Sequence, residues 1–194
     1  MVSYGIRPLR ATSKKENDMQ QLELGILDWI QTNLRCGVLD VLMPALSWTC
    51  NHGELWIVLA AVLLAVKRYR RQGLAVGCAL VTDLVLCNLI LKPLVGRARP
   101  FTVQAVELLI APPADASFPS GHTAASFAAV FALKASGSPL WKPALAVAVV
   151  MAFSRLYLYV HWPSDVLGGV LVGAAAGYAG AWAAKKLAAR KARQ

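Results

Sequence analysis

Five apolar stretches, at about 54–66, 73–95, 121–135, 139–160 and 164–184, constrain this chain more than any other feature, and charge, Gly or Pro bounds each one. A hydrocarbon layer roughly 30 Å thick takes about 20 apolar residues per helical crossing. The 194 residues are 57% hydrophobic and only 15% charged, which excludes an ordinary soluble domain. The expected fold is all-α: a polytopic membrane protein, a bundle of about six transmembrane helices. The first of these is weak. Between Leu22 and Cys50, Leu24, Leu27, Ile30 and Leu34 recur at helical spacing, but Asp28, Arg35 and Asp40 interrupt them. A spanning helix is favoured there, with an interfacial one as the alternative.

The formal net charge of +10 raises the question of a nucleic-acid partner. The basic residues gather at the ends of apolar segments instead of along one polar face, so topology explains them and no nucleic acid is expected. With Lys67, Arg68, Arg70 and Arg71 in the cytosol, the chain leaves at 73–95, returns at 121–135, leaves at 139–160 and returns at 164–184. Residues 1–20 lack the apolar core of a signal peptide and are expected to form a basic cytosolic tail. Residues 21–187 form a single membrane domain, and 188–194 a second basic cytosolic tail. Apart from Arg35, only Lys92, Arg97, Arg99 and Arg155 remain for the opposite face. Cys36, Cys50, Cys78 and Cys87 have no metal-ligand spacing and read as small apolar fillers.

Three segments meet on that opposite face. Lys92 to Pro100 carries three cations within eight residues at the end of an outward crossing. Taken alone, it is explained equally well by snorkelling anchors. Pro119-Ser120-Gly121-His122 opens the next helix, where Ser120 suits capping, Gly121 permits close approach, and free N–H groups suit an anion. Ser154 to Asp165 ends another outward crossing and adds Arg155, His161 and Asp165, with Pro163 marking the next helix start.

Together these segments resemble the signature of the type 2 phosphatidic acid phosphatase family, which also holds vanadium haloperoxidases and glucose-6-phosphatases. The match runs through Lys92, Arg99, Pro100, Pro119, Ser120, Gly121, His122, Ser154, Arg155, His161 and Asp165, in the family's order, and covers about residues 54–184. The resemblance implies that His161 attacks phosphorus to give a phosphohistidine and that Asp165 orients it. It implies that His122 protonates the leaving oxygen, and that Lys92, Arg99, Arg155, Ser120 and Gly121 bind the phosphoryl oxygens. Arg97 is outside the pattern and reads as an interfacial anchor. No carboxylate cluster that would hold Mg²⁺ accompanies the motifs, so neither a metal nor another cofactor is expected.

A site at the hydrocarbon boundary favours a lipid phosphate or diphosphate as the substrate partner. The run Ala114 to Ser120 is similar to the small bacterial undecaprenyl-diphosphate phosphatases of the family, which implies an extracytoplasmic site in the cell membrane. Several of those enzymes carry Asp where this chain has Gly121, while general lipid phosphatases carry Gly. Phosphatidate and phosphatidylglycerophosphate are therefore the alternatives. A small transporter is the alternative of another class, and no duplicated half supports it. Residues 101–118 read as a lid or a plain connector. Asp83 and Asn88 should face the bundle interior, as links between helices more than as a cavity wall. Nothing in the sequence specifies an oligomeric partner.

Overall fold

The computed structural model describes residues 14–191. The basic residues Arg7, Arg10 and Arg193 of the expected tails lie outside that range. All regular structure among the described residues is helical. The elements are α1 (Lys14–Asn33), α2 (Gly37–Trp48), α3 (Glu54–Ala65), α4 (Arg70–Asp83), α5 (Lys92–Val95), α6 (Pro100–Val103), α7 (Gly121–Ala135), α8 (Trp141–Tyr157) and α9 (Pro163–Lys191). A π-helical stretch, Leu84–Leu91, joins α4 to α5.

Two helical runs, Lys67–Val103 and Pro163–Arg190, are long and apolar enough to cross a membrane. Large apolar side chains on their outer surfaces, among them Val81, Leu84, Leu89, Leu167, Leu171 and Trp182, are exposed. That distribution suits lipid contact rather than water.

The helix at the centre, α9, packs along both α7 and α4. Small residues make the approach possible: Gly169, Gly173 and Gly177 lie against α7, and Gly180 lies against Ala79 of α4. Across the first contact α7 presents the buried Ala124, Ala128 and Ala132. Apolar burial against lipid gains little, so close backbone packing has to hold such helices together.

Residues 22–50 do not form the single helix expected from the sequence. The chain breaks at 34–36, between α1 and α2. Polar groups explain the break. The Tyr157 hydroxyl accepts from the Cys36 N–H (3.2 Å) and donates to Asp40 (2.7 Å), and Arg35 pairs with Asp40 (3.4 Å). Helix α1 then docks on the end of the bundle that carries the three motif segments. Gln31 donates to the Tyr157 carbonyl (2.7 Å), Tyr159 to Asp28 (2.7 Å), and Arg97 to Glu23 (2.6 Å).

Two local features set the directions of the motif residues. Helix α8 ends with Tyr159 N–H bonded to the Leu156 carbonyl and Val160 N–H bonded to the Arg155 carbonyl, a Schellman arrangement. Its left-handed residue is Tyr159, φ 59°, where glycine is usual. The buried ring and its bond to Asp28 offset a strain of roughly 1–2 kcal/mol and turn the chain back into the protein before His161. The π stretch does the equivalent for α4. Nine residues of α-helix make about two and a half turns, which would put Asp83 and Lys92 on opposite sides. With the wider π turns, both line the same cavity.

A Cβ built on Gly173 would stand 2.4 Å from the Ala124 carbonyl oxygen, and one on Gly25 of α1 would meet nothing within 4 Å. Gly173→Ala should therefore cost roughly 1–3 kcal/mol of stability, measured by unfolding in detergent. Gly25→Ala should cost none.

Candidate active site

A cavity of about 1230 Å³ opens at the motif-bearing end of the bundle. Lys92, Arg99, His122, Arg155 and His161 all contribute to its wall. The structure thus brings together five of the seven side chains singled out in the sequence on one surface, with Gly121 between them. A Cβ on Gly121 would lie 3.6 Å from Lys92 Nζ and 3.5 Å from Asn88 Oδ1, so a side chain at this position would point at the cations. The first backbone bond of α7 runs from Ala124 N–H to the Ser120 carbonyl. The N–H groups of Gly121, His122 and Thr123 precede the helical ladder, as an anion site at a helix start requires. Ser120 occupies the N-cap position without capping. It is fully buried behind this turn, and its hydroxyl oxygen accepts from Thr123 (3.0 Å).

Arg99 is buried and uses its guanidinium fully. Nε donates to the Asp115 carbonyl (2.9 Å), Nη2 to Asp115 Oδ1 (2.7 Å) and Nη1 to the Val160 carbonyl (2.6 Å). Nη1 also lies 3.3 Å from His161 Nε2. Arg155, buried as well, donates through Nε and Nη2 to Ser154 Oγ at 3.1 and 2.8 Å.

His161 sits in the turn between α8 and α9 on the cavity wall, with Nε2 against Arg99 and Nδ1 toward Asp165. The separation of Nδ1 from Asp165 Oδ2 is 3.5 Å, long for a hydrogen bond, and Nδ1 has no other partner. Burial, together with the nearby Arg99 and Arg155, outweighs the pull of Asp165 and pushes the His161 pKa down to about 4. Arg99 can only donate, so in the ring, uncharged at neutral pH, Nε2 carries the lone pair that accepts from Arg99 and Nδ1 carries the proton. His122 is on the cavity wall and its Nε2 has no hydrogen-bond partner.

Asp165 is fully buried and joins all three motif segments. Its Oδ1 accepts from Arg97 (2.7 Å); its Oδ2 accepts from the Trp162 N–H (2.9 Å) and from the Ser117 hydroxyl. Its backbone carbonyl accepts from the Ser120 N–H (3.1 Å). Arg97 is therefore not an anchor in the interface. It is held over the Trp162 ring, 5.1 Å from the centroid, and paired with two carboxylates.

The sequence reading missed Glu23, Ser117 and Asp115. The third cation of the Lys92 to Pro100 segment was a signal for Arg97, but nothing local marks its partners. Asp83 and Asn88 are wall residues of the cavity, not links between helices, and Asp83 Oδ1 has no hydrogen-bond partner. Residues 104–120 cross the mouth of the site and place Asp115 on Lys92 and Arg99. Burial alone would raise the Asp115 pKa, yet the two cations hold it well below the usual carboxylate range.

Comparison with known proteins finds relatives of this chain. The family model described as the PAP2 superfamily matches residues 72–188. An undecaprenyl-diphosphatase of Sulfolobus acidocaldarius is 38% identical over 120 residues, which cover 61% of this chain and 58% of that protein. The chain thus matches somewhat over half of that relative's length. A decaprenylphosphoryl-5-phosphoribose phosphatase of Mycobacterium tuberculosis is 39% identical over 134 residues, covering 68% and 73%. Among solved structures, Aquifex aeolicus LpxE superposes with a TM-score of 0.70 at 26% identity, covering 82% of this chain and 94% of that one.

Asp115 occupies the two cations with an anion of the protein's own, and a phosphate has to compete with it. Asp115→Asn should therefore tighten the binding of inorganic phosphate to the purified protein several-fold, read by calorimetry. Unchanged or weaker binding would mean that the carboxylate instead holds Lys92 and Arg99 in place for the ligand.

Proposed function

The chain belongs to the PAP2 superfamily, and from that premise we propose that it is a membrane lipid phosphatase acting on a prenyl diphosphate of the undecaprenyl type. The observation that carries the lipid reading is the continuity of the cavity. Its polar end holds Lys92, Arg99, Arg155, His122 and His161, and its walls continue along Ile57, Ala61 and Leu64 of α3 and Leu80, Val81 and Leu84 of α4 and the π stretch. An amphiphile fits this division, with its phosphate on the cations and its tail between apolar helices that open toward lipid. The two curated relatives carry the names of polyprenyl-lipid phosphatases, which supports a prenyl chain over an acyl one.

In this reading the phosphoryl oxygens displace Asp115 and lie against Lys92, Arg99, Arg155 and the N–H groups at the start of α7. Charge spread over the equatorial oxygens is stabilised by these fixed donors. His161 Nε2 attacks phosphorus in line, the phosphorus–oxygen bond to the leaving group breaks, and His122 gives that oxygen its proton. The negative charge of the bound phosphate lets an imidazolium stand at His122 among three cations. Attack makes the His161 ring cationic, and Asp165 stands at Nδ1 to receive that charge. Water, deprotonated by His122, then hydrolyses the phosphohistidine. Ser120 supports the turn from behind and does not touch the phosphate.

Among the described residues, five crossings account for the bundle: α3, α4 with its π continuation, α7, α8 and α9. Helices α1 and α2 lie at the face that holds the site. The cations of the α3–α4 link and the carboxyl-terminal end of α9 mark the opposite face as cytosolic, so the site faces out of the cytoplasm. The described residues 21–187 act as one domain.

His161→Ala in purified, folded protein should abolish phosphate release from undecaprenyl diphosphate in EDTA, a loss of at least about a thousandfold. Wild-type protein that released phosphate equally well from a water-soluble phosphate ester would defeat the lipid reading. Faster turnover of phosphatidate or phosphatidylglycerophosphate would move the assignment to a glycerolipid. For sidedness, a cysteine placed at the exposed Thr102 should react with an impermeant maleimide added outside intact cells. Labelling only after the cytosolic side is opened would reverse the orientation.

A further inference from the structure

Behind His161 and Asp165 lies a second pair of charges, Glu23 and Arg97, that the family pattern does not include. Arg97 Nη1 donates to Asp165 Oδ1 (2.7 Å) and to Ser164 Oγ (2.6 Å), and Nη2 donates to Glu23 Oε2 (2.6 Å). The other Glu23 oxygen accepts from the Ser164 N–H (2.8 Å) and hydroxyl (2.6 Å). Glu23 is only 4% exposed, and Asp165 is fully buried. Charge therefore alternates inward from α1: Glu23 negative, Arg97 positive, Asp165 negative, then the imidazole. A carboxylate buried in α1 at this depth is costly unless it has partners, and all of its partners belong to the site.

Resting on the function proposed above, we infer that Glu23 and Arg97 are positioning residues: the pair fixes the Asp165 carboxylate against His161 and sets the electrostatic field in which the imidazole gains charge. The geometry gives each group a separate effect. Arg97 holds Oδ1, leaving Oδ2 to face Nδ1, and its positive charge tempers the attraction of Asp165 for a proton on the ring. Glu23 opposes that tempering by partly neutralising Arg97. The other charged or titratable groups around His161 are Arg99 from the segment before α6, Arg155 from α8 and His122 from α7. None of these contacts Glu23 or Arg97, so they form a constant background while the pair is varied.

Removing Arg97's charge should favour the imidazolium, and removing Glu23's should disfavour it. Exchange of the histidine C2 proton for deuterium, followed by peptide mass spectrometry against pH, titrates His161 in the whole protein whether or not it turns over. Arg97→Gln should move the His161 inflection to higher pH, and Glu23→Gln should move it to lower pH, each by roughly half a unit. Arg97→Lys, which keeps the charge, should leave the inflection in place. Both neutral variants should lower kcat by on the order of ten- to a hundredfold with KM little changed, since the phosphate contacts remain. Inflections that stay fixed, or that move in the same direction in both variants, would overturn the inference and leave the pair as a clamp for α1. Should one neutral variant not fold, the direction of the other decides. Absence of turnover in wild-type protein would refute the phosphatase reading and leave the titration result standing.

Discussion

The structure depends on one buried carboxylate. Asp165 has no access to solvent, and a lone charge in such a place is prohibitively costly. It is tolerated because donors converge on it from every motif segment: Arg97 from the first, the Ser117 hydroxyl next to the second, and the Trp162 N–H from the third. The Ser120 N–H, bonded to the Asp165 carbonyl, fixes the start of α7 to the same point. Three stretches far apart in the chain are thereby drawn to within a few ångströms of one another. The cationic wall of the cavity is a consequence of that convergence. Lys92 and Arg99 flank Arg97 in the sequence, Gly121 and His122 follow Ser120, and His161 lies one helical turn before Asp165.

Much of this was legible in the sequence, for identifiable reasons. The apolar runs predicted α3, α7 and α8 to within three residues at each end, because Gly, Pro and charge mark those ends chemically; the run 73–95 covers α4 together with the π stretch and α5, and α9 continues to Lys191, past the expected end at 184. The spacing of Lys92, Arg99, Gly121, His122, Arg155 and His161 was enough to expect one surface. Three features were not legible. The break at 34–36 depends on Tyr157 from the far end of the chain. The π stretch is a change of register that no single residue between Leu84 and Leu91 announces. The pairing of Arg97 with Glu23 joins two residues that each have an ordinary local explanation, a helix-end cation and an acid on an amphipathic helix. All three are long-range or cooperative, whereas the features that were read correctly are local.

The resting site is closed by electrostatics as much as by shape. Asp115 satisfies Arg99 and Lys92, and without it two cations would face one another across an apolar cavity. Lys92 and Arg99 thus stay desolvated and pre-formed. A ligand that displaces Asp115 exchanges one anion for another and need not pull water from the guanidinium. Tyr159 is a cost of a similar kind: its left-handed backbone is unfavourable in isolation and is maintained by the burial of its ring. Both devices keep polar groups aimed into the cavity where relaxed ones would turn toward the nearest partner.

The boundaries of the family match divide the molecule in an instructive way. Residues 72–188 contain every group proposed to touch phosphorus, while α1, α2 and α3 lie before it. From that earlier stretch come Glu23, behind the Asp165 carboxylate, and the α3 side of the cavity's apolar wall. On the function proposed above, the groups at phosphorus and Arg97 thus lie in one length of chain, and Glu23 and the α3 side of the wall in another. If the cavity admits a lipid tail as proposed, substitutions in the first three helices reshape its apolar wall or the surroundings of the Asp165 carboxylate while Lys92, Arg99, His122, Arg155 and His161 stay as they are. On that reading, relatives that share residues 72–188 can diverge in substrate through the helices that precede them.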